Sequence, residues 1–165
     1  MTSRVLVALR VKADPARAFD VFTRETALWW KPNGLFNFTP RSPGVMSFEP
    51  GEGGRFVETL PGGKVFEIGR IHVWAPGERL VFGWRCAWFP PEVETTVEVR
   101  FEAVGEETRI TVEHAGWDAI PRENAARHGF PLDAFQMREA EWWRSQLASL
   151  GAAMDNAAPP DSSSL

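Results

Sequence analysis

His114 is the side chain of this sequence best placed to do chemistry. It ends a run in which Ile110, Val112 and His114 alternate with Arg109, Thr111 and Glu113, so the imidazole shares the apolar face of a strand, beside the turn that carries Trp117. A buried neutral imidazole facing a pocket can orient a polar ligand or act as an acid or base near neutral pH. The plainer reading is a core histidine with its hydrogen bonds satisfied, since the sequence shows neither an Asp partner nor a nucleophile for it. Glu67 is the second candidate, in phase with Val65, Gly69 and Ile71 in an otherwise apolar strand. Facing inward it has to be neutralised or paired with a cation such as Arg85 or Arg55; a bulge would turn it outward, and both orientations stay open.

Several reactive arrangements are missing. Gly51, Gly53 and Gly54 lie in a turn between two strands, not between a strand and a helix, so they form no phosphate cradle. His72, His114 and His128 have no metal-ligand spacing, and Ser42, Ser47 and Ser145 have no nucleophile-elbow context. No carboxylate pair stands out for acid–base work. No catalytic residue, metal or cofactor is therefore assigned.

What the sequence has in quantity is aromatic surface: eight Trp and twelve Phe with no Tyr. Such rings suit a thick core or the walls of an apolar pocket, and the missing phenol removes one common acid or base. Trp30, Phe38, Phe56, Trp84, Trp88, Trp117 and Phe135 come from strands, loops and a helix start that should converge at one end of a groove, with Trp143 on the helix above. As a group they read either as a lining for a flat or fatty ligand or as a filled core. A net charge of −4 without a Lys/Arg cluster argues against a nucleic-acid partner. The single Cys86 has no disulfide partner and reads as a small core residue in a reducing compartment. The apolar run after Arg4 is too short for a signal peptide or a membrane span, which makes the cytoplasm the expected location.

The elements that must position these side chains follow from pattern. Val5, Val7, Leu9 and Val11 alternate with Leu6, Ala8 and Arg10 as a first strand. Asp14-Pro15 stops it and starts a short helix from Pro15 to about Phe22, with Phe19 and Phe22 inward. Thr23 is expected to cap a second short helix from Arg24 to Trp30, ended by Pro32-Asn33-Gly34. Six strands follow, at about Val45 to Glu49, Arg55 to Leu60, Val65 to Trp74, Arg79 to Trp88, Thr95 to Ala103 and Thr108 to His114. Short turns between them make an antiparallel meander the simplest topology. A sheet with one wet face needs a cover, and the helix from about Leu132 to Met154 supplies it through Gln136, Ala140, Trp143, Leu147, Leu150 and Met154. Residues 1–155 thus read as one α+β domain of about seven strands, and 156–165 as a disordered Pro/Ser tail.

The order strand, two short helices, meander and long C-terminal helix resembles the helix-grip fold of the START-like or SRPBCC superfamily, which includes the birch-pollen-allergen-like proteins. Local stretches look like its AHSA-like family, named after the activator of a heat-shock protein's ATPase. They are Gly53-Gly54-Arg55-Phe56, Gly69-Arg70-Ile71 through Pro76-Gly77-Glu78-Arg79-Leu80-Val81-Phe82 to Trp84, Thr108-Arg109-Ile110-Thr111 through His114-Ala115-Gly116-Trp117, and Trp143 with Leu147 and Leu150. The sequence departs from the family at Trp142, where Gly is more usual, and in the segment Asp118 to Pro131, expected to fold over the cavity mouth. The resemblance implies a cavity between sheet and C-terminal helix that binds a small hydrophobic, lipid-like or polyketide-like molecule. It leaves two alternatives: a cyclase or dehydratase type of enzyme using His114 or Glu67, and a co-chaperone-like interaction module, which in the name-giving member depends on an additional N-terminal domain. A homodimer is compatible with the third reading.

Overall fold

The computed structural model describes residues 4–156. The curled sheet contains seven antiparallel strands in the order β1-β7-β6-β5-β4-β3-β2: β1 (Arg4–Val11), β2 (Val45–Phe48), β3 (Arg55–Thr59), β4 (Val65–Ala75), β5 (Arg79–Trp84), β6 (Thr95–Val104) and β7 (Glu107–Ala115). Strands β2 to β7 form the expected meander, and β1 closes onto β7 with Val5 opposite His114. This is the helix-grip architecture. All of the expected tail after Asn156 lies outside the described residues.

Helix α1 (Pro15–Arg24) starts as its sequence dictates, with Pro15 in the first turn and the Asp14 carboxylate accepting from the Arg17 N–H at 2.8 Å. Its Phe19 and Phe22 are buried against Trp74, Phe101, Trp29 and Phe48. Helix α2 is shorter than predicted, only Thr26–Trp29, and Thr23 does not cap it. The Thr23 hydroxyl instead donates to the Phe19 carbonyl at 2.8 Å, the back-bonding geometry of a threonine inside a helix.

Strand β5 also ends early, at Trp84 rather than Trp88. Its pairing with β6 finishes at Trp84 opposite Thr95, and the Pro90-Pro91 step that follows has no N–H groups to continue a ladder. The chain turns away instead, with the Ala87 N–H donating to the Phe38 carbonyl at 2.7 Å.

Strand β4 is irregular. Phe56 pairs with Gly69 and Val57 with Glu67, so Ile68 is the extra residue of a bulge, and both Ile68 and Ile71 are buried. Beside the bulge, β4 comes so close to β5 that a Cβ on Gly69 would overlap the Gly83 carbonyl. Gly69→Ala is expected to cost about 1–3 kcal/mol, because the obstacle is backbone and cannot rotate away. Chemical denaturation checks this: an unchanged midpoint would mean that the strands separate freely here.

Helix α3 (Leu132–Asn156) packs along β1 and against both short helices. The centre of its buried stripe runs Phe135, Glu139, Trp142, Trp143, Gln146, Leu147, Leu150 and Met154, while Gln136 and Ala140 lie half-buried at its edge. The stripe is therefore phased one residue away from the predicted one over its first turns. That shift brings a carboxylate into the core.

Candidate functional site

The ends of β5, β6 and β7 meet the middle of α3 around His114, which is completely buried. Thr95, at the start of β6, donates its hydroxyl hydrogen to the Trp84 carbonyl at 3.0 Å and lies 2.8 Å from His114 Nε2. With its own hydrogen committed, the hydroxyl has to accept, so Nε2 carries a hydrogen. The Trp143 indole N–H donates toward Nδ1 at 3.3 Å. That neutral imidazole is fully satisfied.

Glu139 adds a second demand on Nδ1. Its Oε1 lies 3.0 Å from that nitrogen, and the side chain is as inaccessible as the histidine. An oxygen and a nitrogen that each present a lone pair cannot sit this close without a hydrogen between them. One proton therefore has two homes, Glu139 Oε1 or His114 Nδ1, and when Nδ1 holds it the Trp143 N–H loses its acceptor. A carboxyl–imidazole pair walled by Trp84, Trp117 and Trp143, at ring distances of 4.9, 5.3 and 6.3 Å from His114, is shielded from water on every described side. Such a pair can hold, orient or move a proton.

The predicted rings do converge: Phe56, Phe135 and Trp143 are packed inside the groove, Trp30 and Phe38 border a small cleft of about 110 Å³, and Trp84, Trp88 and Trp117 border a larger one. Trp30 touches Phe38, Phe56, Trp84, Trp142 and Trp143, with centroids 5.5 to 6.3 Å apart. Phe135 packs edge-on against Trp117 at 4.6 Å. The larger of these two clefts lies at the end of the groove and has a volume of about 330 Å³, between the Gly34–Phe36 turn, the segment after β5 and the segment after β7. Trp84, Trp88 and Trp117 line it, with Phe36, Thr39 and Cys86, and α3 contributes no wall.

The segment after β7 closes one side of this cleft through Ala125, Ala126 and His128. It is held by the buried Trp117, Ile120 and Ala126 and by a set of polar bonds. Buried Arg127 donates to the Ile120 and Phe130 carbonyls at 2.8 and 2.7 Å, and Asn124 donates to the Trp88 carbonyl at 2.7 Å. His128 Nε2 donates to the Leu35 carbonyl at 2.7 Å, joining the two walls. Burial pushes the Cys86 thiol up to about 11, so it stays protonated at neutral pH and is a cleft wall rather than a nucleophile.

Glu67 takes no part in this site. The bulge at Ile68 breaks the alternation and leaves its side chain half-exposed, 3.4 Å from Arg70 and 4.0 Å from Arg55. Arg55 itself is bound to Glu49 at 2.7 Å, and this hydrogen bond holds the Glu49 carboxyl below the usual range. Of the functional groups now visible, Glu139, Thr95 and Trp142 are new. Glu139 had one available signal: it sits four residues before Trp143 and four after Phe135, on the line through two rings expected inside. Among the described residues no group of His, Cys, Asp and Glu could hold a metal ion, and no helix is long and apolar enough to cross a membrane.

Comparison with known proteins gives the family and the fold. No curated protein matches the chain. Protein MLL2253 of Mesorhizobium loti is 16% identical with a TM-score of 0.66, the match covering 95% of this chain and 100% of that one. The Aha1 dimer of Colwellia psychrerythraea, solved in solution, is 15% identical with a TM-score of 0.64, covering 95% of this chain and 99% of that one. PFC0360w, an Hsp90 activator from Plasmodium falciparum, is 18% identical with a TM-score of 0.62, covering 92% and 96%. At these identities the likeness is one of fold. The family described as Activator of Hsp90 ATPase homolog 1-like protein matches in sequence over residues 12–155, and on that match, nearly the whole described chain, this protein belongs to the Activator of Hsp90 ATPase homolog 1-like family.

Proposed function

We propose that this chain binds a small apolar or aromatic molecule in the cleft at the end of its groove. The observation that carries the reading is the cleft itself. At about 330 Å³ it falls at the lower end of the ~300–1,000 Å³ of small-molecule sites, and three tryptophans line it. A molecule of about two fused rings matches that size and offers flat faces to stack. Because most of the aromatic surface is already used inside the core, the site favours a compact ligand over a long acyl chain. The pair formed by Glu139 and His114 supports a second reading, proton transfer to or from a molecule held in the same cleft. Glu67 drops out of that reading because it is ion-paired on the outside.

The test is titration with a naphthalene-type dye, followed by dye emission and by calorimetry. Saturable binding at one site with a micromolar Kd is the expected result. Trp88→Ala should weaken it at least about fivefold, since Trp88 is a half-exposed cleft wall whose loss removes stacking area without opening the core. Absence of saturable binding, or equal affinity in the Trp88 variant, overturns the assignment of the ligand to this cleft.

A further inference from the structure

Glu58 is an acid turned inward. Strand β2 alternates, with Met46 and Phe48 buried and Val45 and Ser47 exposed. Cross-strand partners share a face, so Glu58 opposite Met46 points the same way as Phe56 opposite Phe48, into the groove. Its side chain is as buried as its neighbours, at 2% exposure for Glu58, 4% for Met46 and 0% for Phe56. Both carboxylate oxygens accept from neutral donors, Oε1 from the Ser42 hydroxyl at 2.7 Å and Oε2 from the Gly44 N–H at 2.8 Å. No Lys, Arg or His is paired with it among the described residues. Each oxygen keeps a further lone pair, and the charge has no counter-charge.

The space in front of this acid is the small cleft of about 110 Å³, which Glu58 and Met46 line together with Trp30, Phe36, Phe38 and Trp142. The rings hold one another in place: Phe36 stacks on Trp142 at 4.8 Å, and Trp30 lies 5.5 Å from Trp142 and 6.3 Å from Phe38. Exposed Asn33 and Val45 also border the cleft, so it reaches solvent. Its volume is far below the ~300 Å³ at which drug-sized sites begin, which suits a compact group rather than a fused ring system.

We propose that this small cleft is a cation site and that it takes a methylated ammonium group. The proposal does not depend on what the larger cleft binds. Aromatic faces and a carboxylate both present negative potential, so an anion is repelled by the whole lining. A neutral group leaves the Glu58 charge uncompensated. A bare ammonium ion gives up more hydration than one carboxylate and a few rings return. Methylation spreads the charge over weakly hydrated groups that pack against ring faces, and the cation then neutralises the acid beside it.

Tetramethylammonium and tert-butanol are close in size and differ in charge, and NMR titration of the whole chain gives their Kd values. Tetramethylammonium should bind about tenfold or more tighter than either tert-butanol or ammonium. Glu58→Gln keeps the side chain's size and one acceptor oxygen but removes the charge, and should cut the preference over tert-butanol to about threefold or less. That ratio is insensitive to a general loosening of the cleft. Trp30→Phe keeps a ring with a weaker face and should lower the preference about twofold, which decides the question if Glu58→Gln does not fold. Phenyltrimethylammonium carries the same head on a ring: tighter binding than tetramethylammonium identifies the head of a larger molecule and weaker or equal binding a free small cation, and both support the site. No binding of tetramethylammonium, affinity equal to that of tert-butanol, or a preference that survives Glu58→Gln unchanged overturns it, and leaves Glu58 as a fastening for the loop before β2.

Discussion

Leu147→Asp is expected to leave the chain without a stable fold. Leu147 is fully buried at the centre of the α3 stripe, where the helix lies over the sheet and the short helices. An aspartate there brings a carboxylate into a space lined by apolar groups, with no cation on the same stripe. Desolvating an unpaired carboxylate costs far more than forming an ordinary contact returns, and the buried leucine area, about 2–3 kcal/mol, is lost as well. Against a total stability of about 5–15 kcal/mol for a domain of this kind, the sum is decisive. Glu141→Ala, six positions earlier and exposed, should shift stability by less than about 0.5 kcal/mol. Circular dichroism melts of both variants distinguish the outcomes, and equal effects would mean that the buried face of α3 is misassigned.

His114→Leu is expected to destabilise the protein by about 3–5 kcal/mol, whereas Glu139→Leu should cost much less. The asymmetry follows from the hydrogen-bond inventory. Without Glu139, the imidazole keeps Thr95 at Nε2 and the Trp143 N–H at Nδ1 and remains satisfied. Without His114, Glu139 loses the only ionic partner it has among the described residues and stays fully enclosed. The double variant should therefore recover most of the loss suffered by His114→Leu, because it removes both halves of the pair. Denaturant unfolding of the two single variants and the double closes the cycle. Purely additive losses would show that the two groups do not interact.

The difference between these two residues also separates what could be read from sequence from what could not. His114 was readable because β7 is unbroken: nothing interrupts the alternation from Ile110 to His114, so the parity of the side chains survives to the strand's end. Glu67 was not, because one extra residue at Ile68 inverts parity, and bulges have no reliable signature in a run of apolar residues. Glu139 was hidden differently. A helix stripe is broad, and a charged residue on its border is read as solvated unless the phase is known to within a residue. The topology, in contrast, follows from turns and strand lengths that tolerate errors of a few residues. This explains why β5 could end at Trp84 instead of Trp88 without changing the order of the sheet. Convergence of the rings was likewise foreseeable, but the degree to which they fill the groove depends on rotamers that no periodicity encodes.

The chain of ring contacts that fills the groove has an optical consequence. Trp29 touches Trp30, Trp30 touches Trp84, Trp142 and Trp143, and Trp142 touches Trp143, all with centroids within 5.1 to 6.1 Å. At such separations excitation absorbed by one indole migrates to the others well before it is emitted. Steady-state emission is therefore depolarised even though the side chains are fixed. The group radiates as a unit through its lowest-energy member, and a quencher in contact with Trp84 at the cleft darkens rings that it never touches.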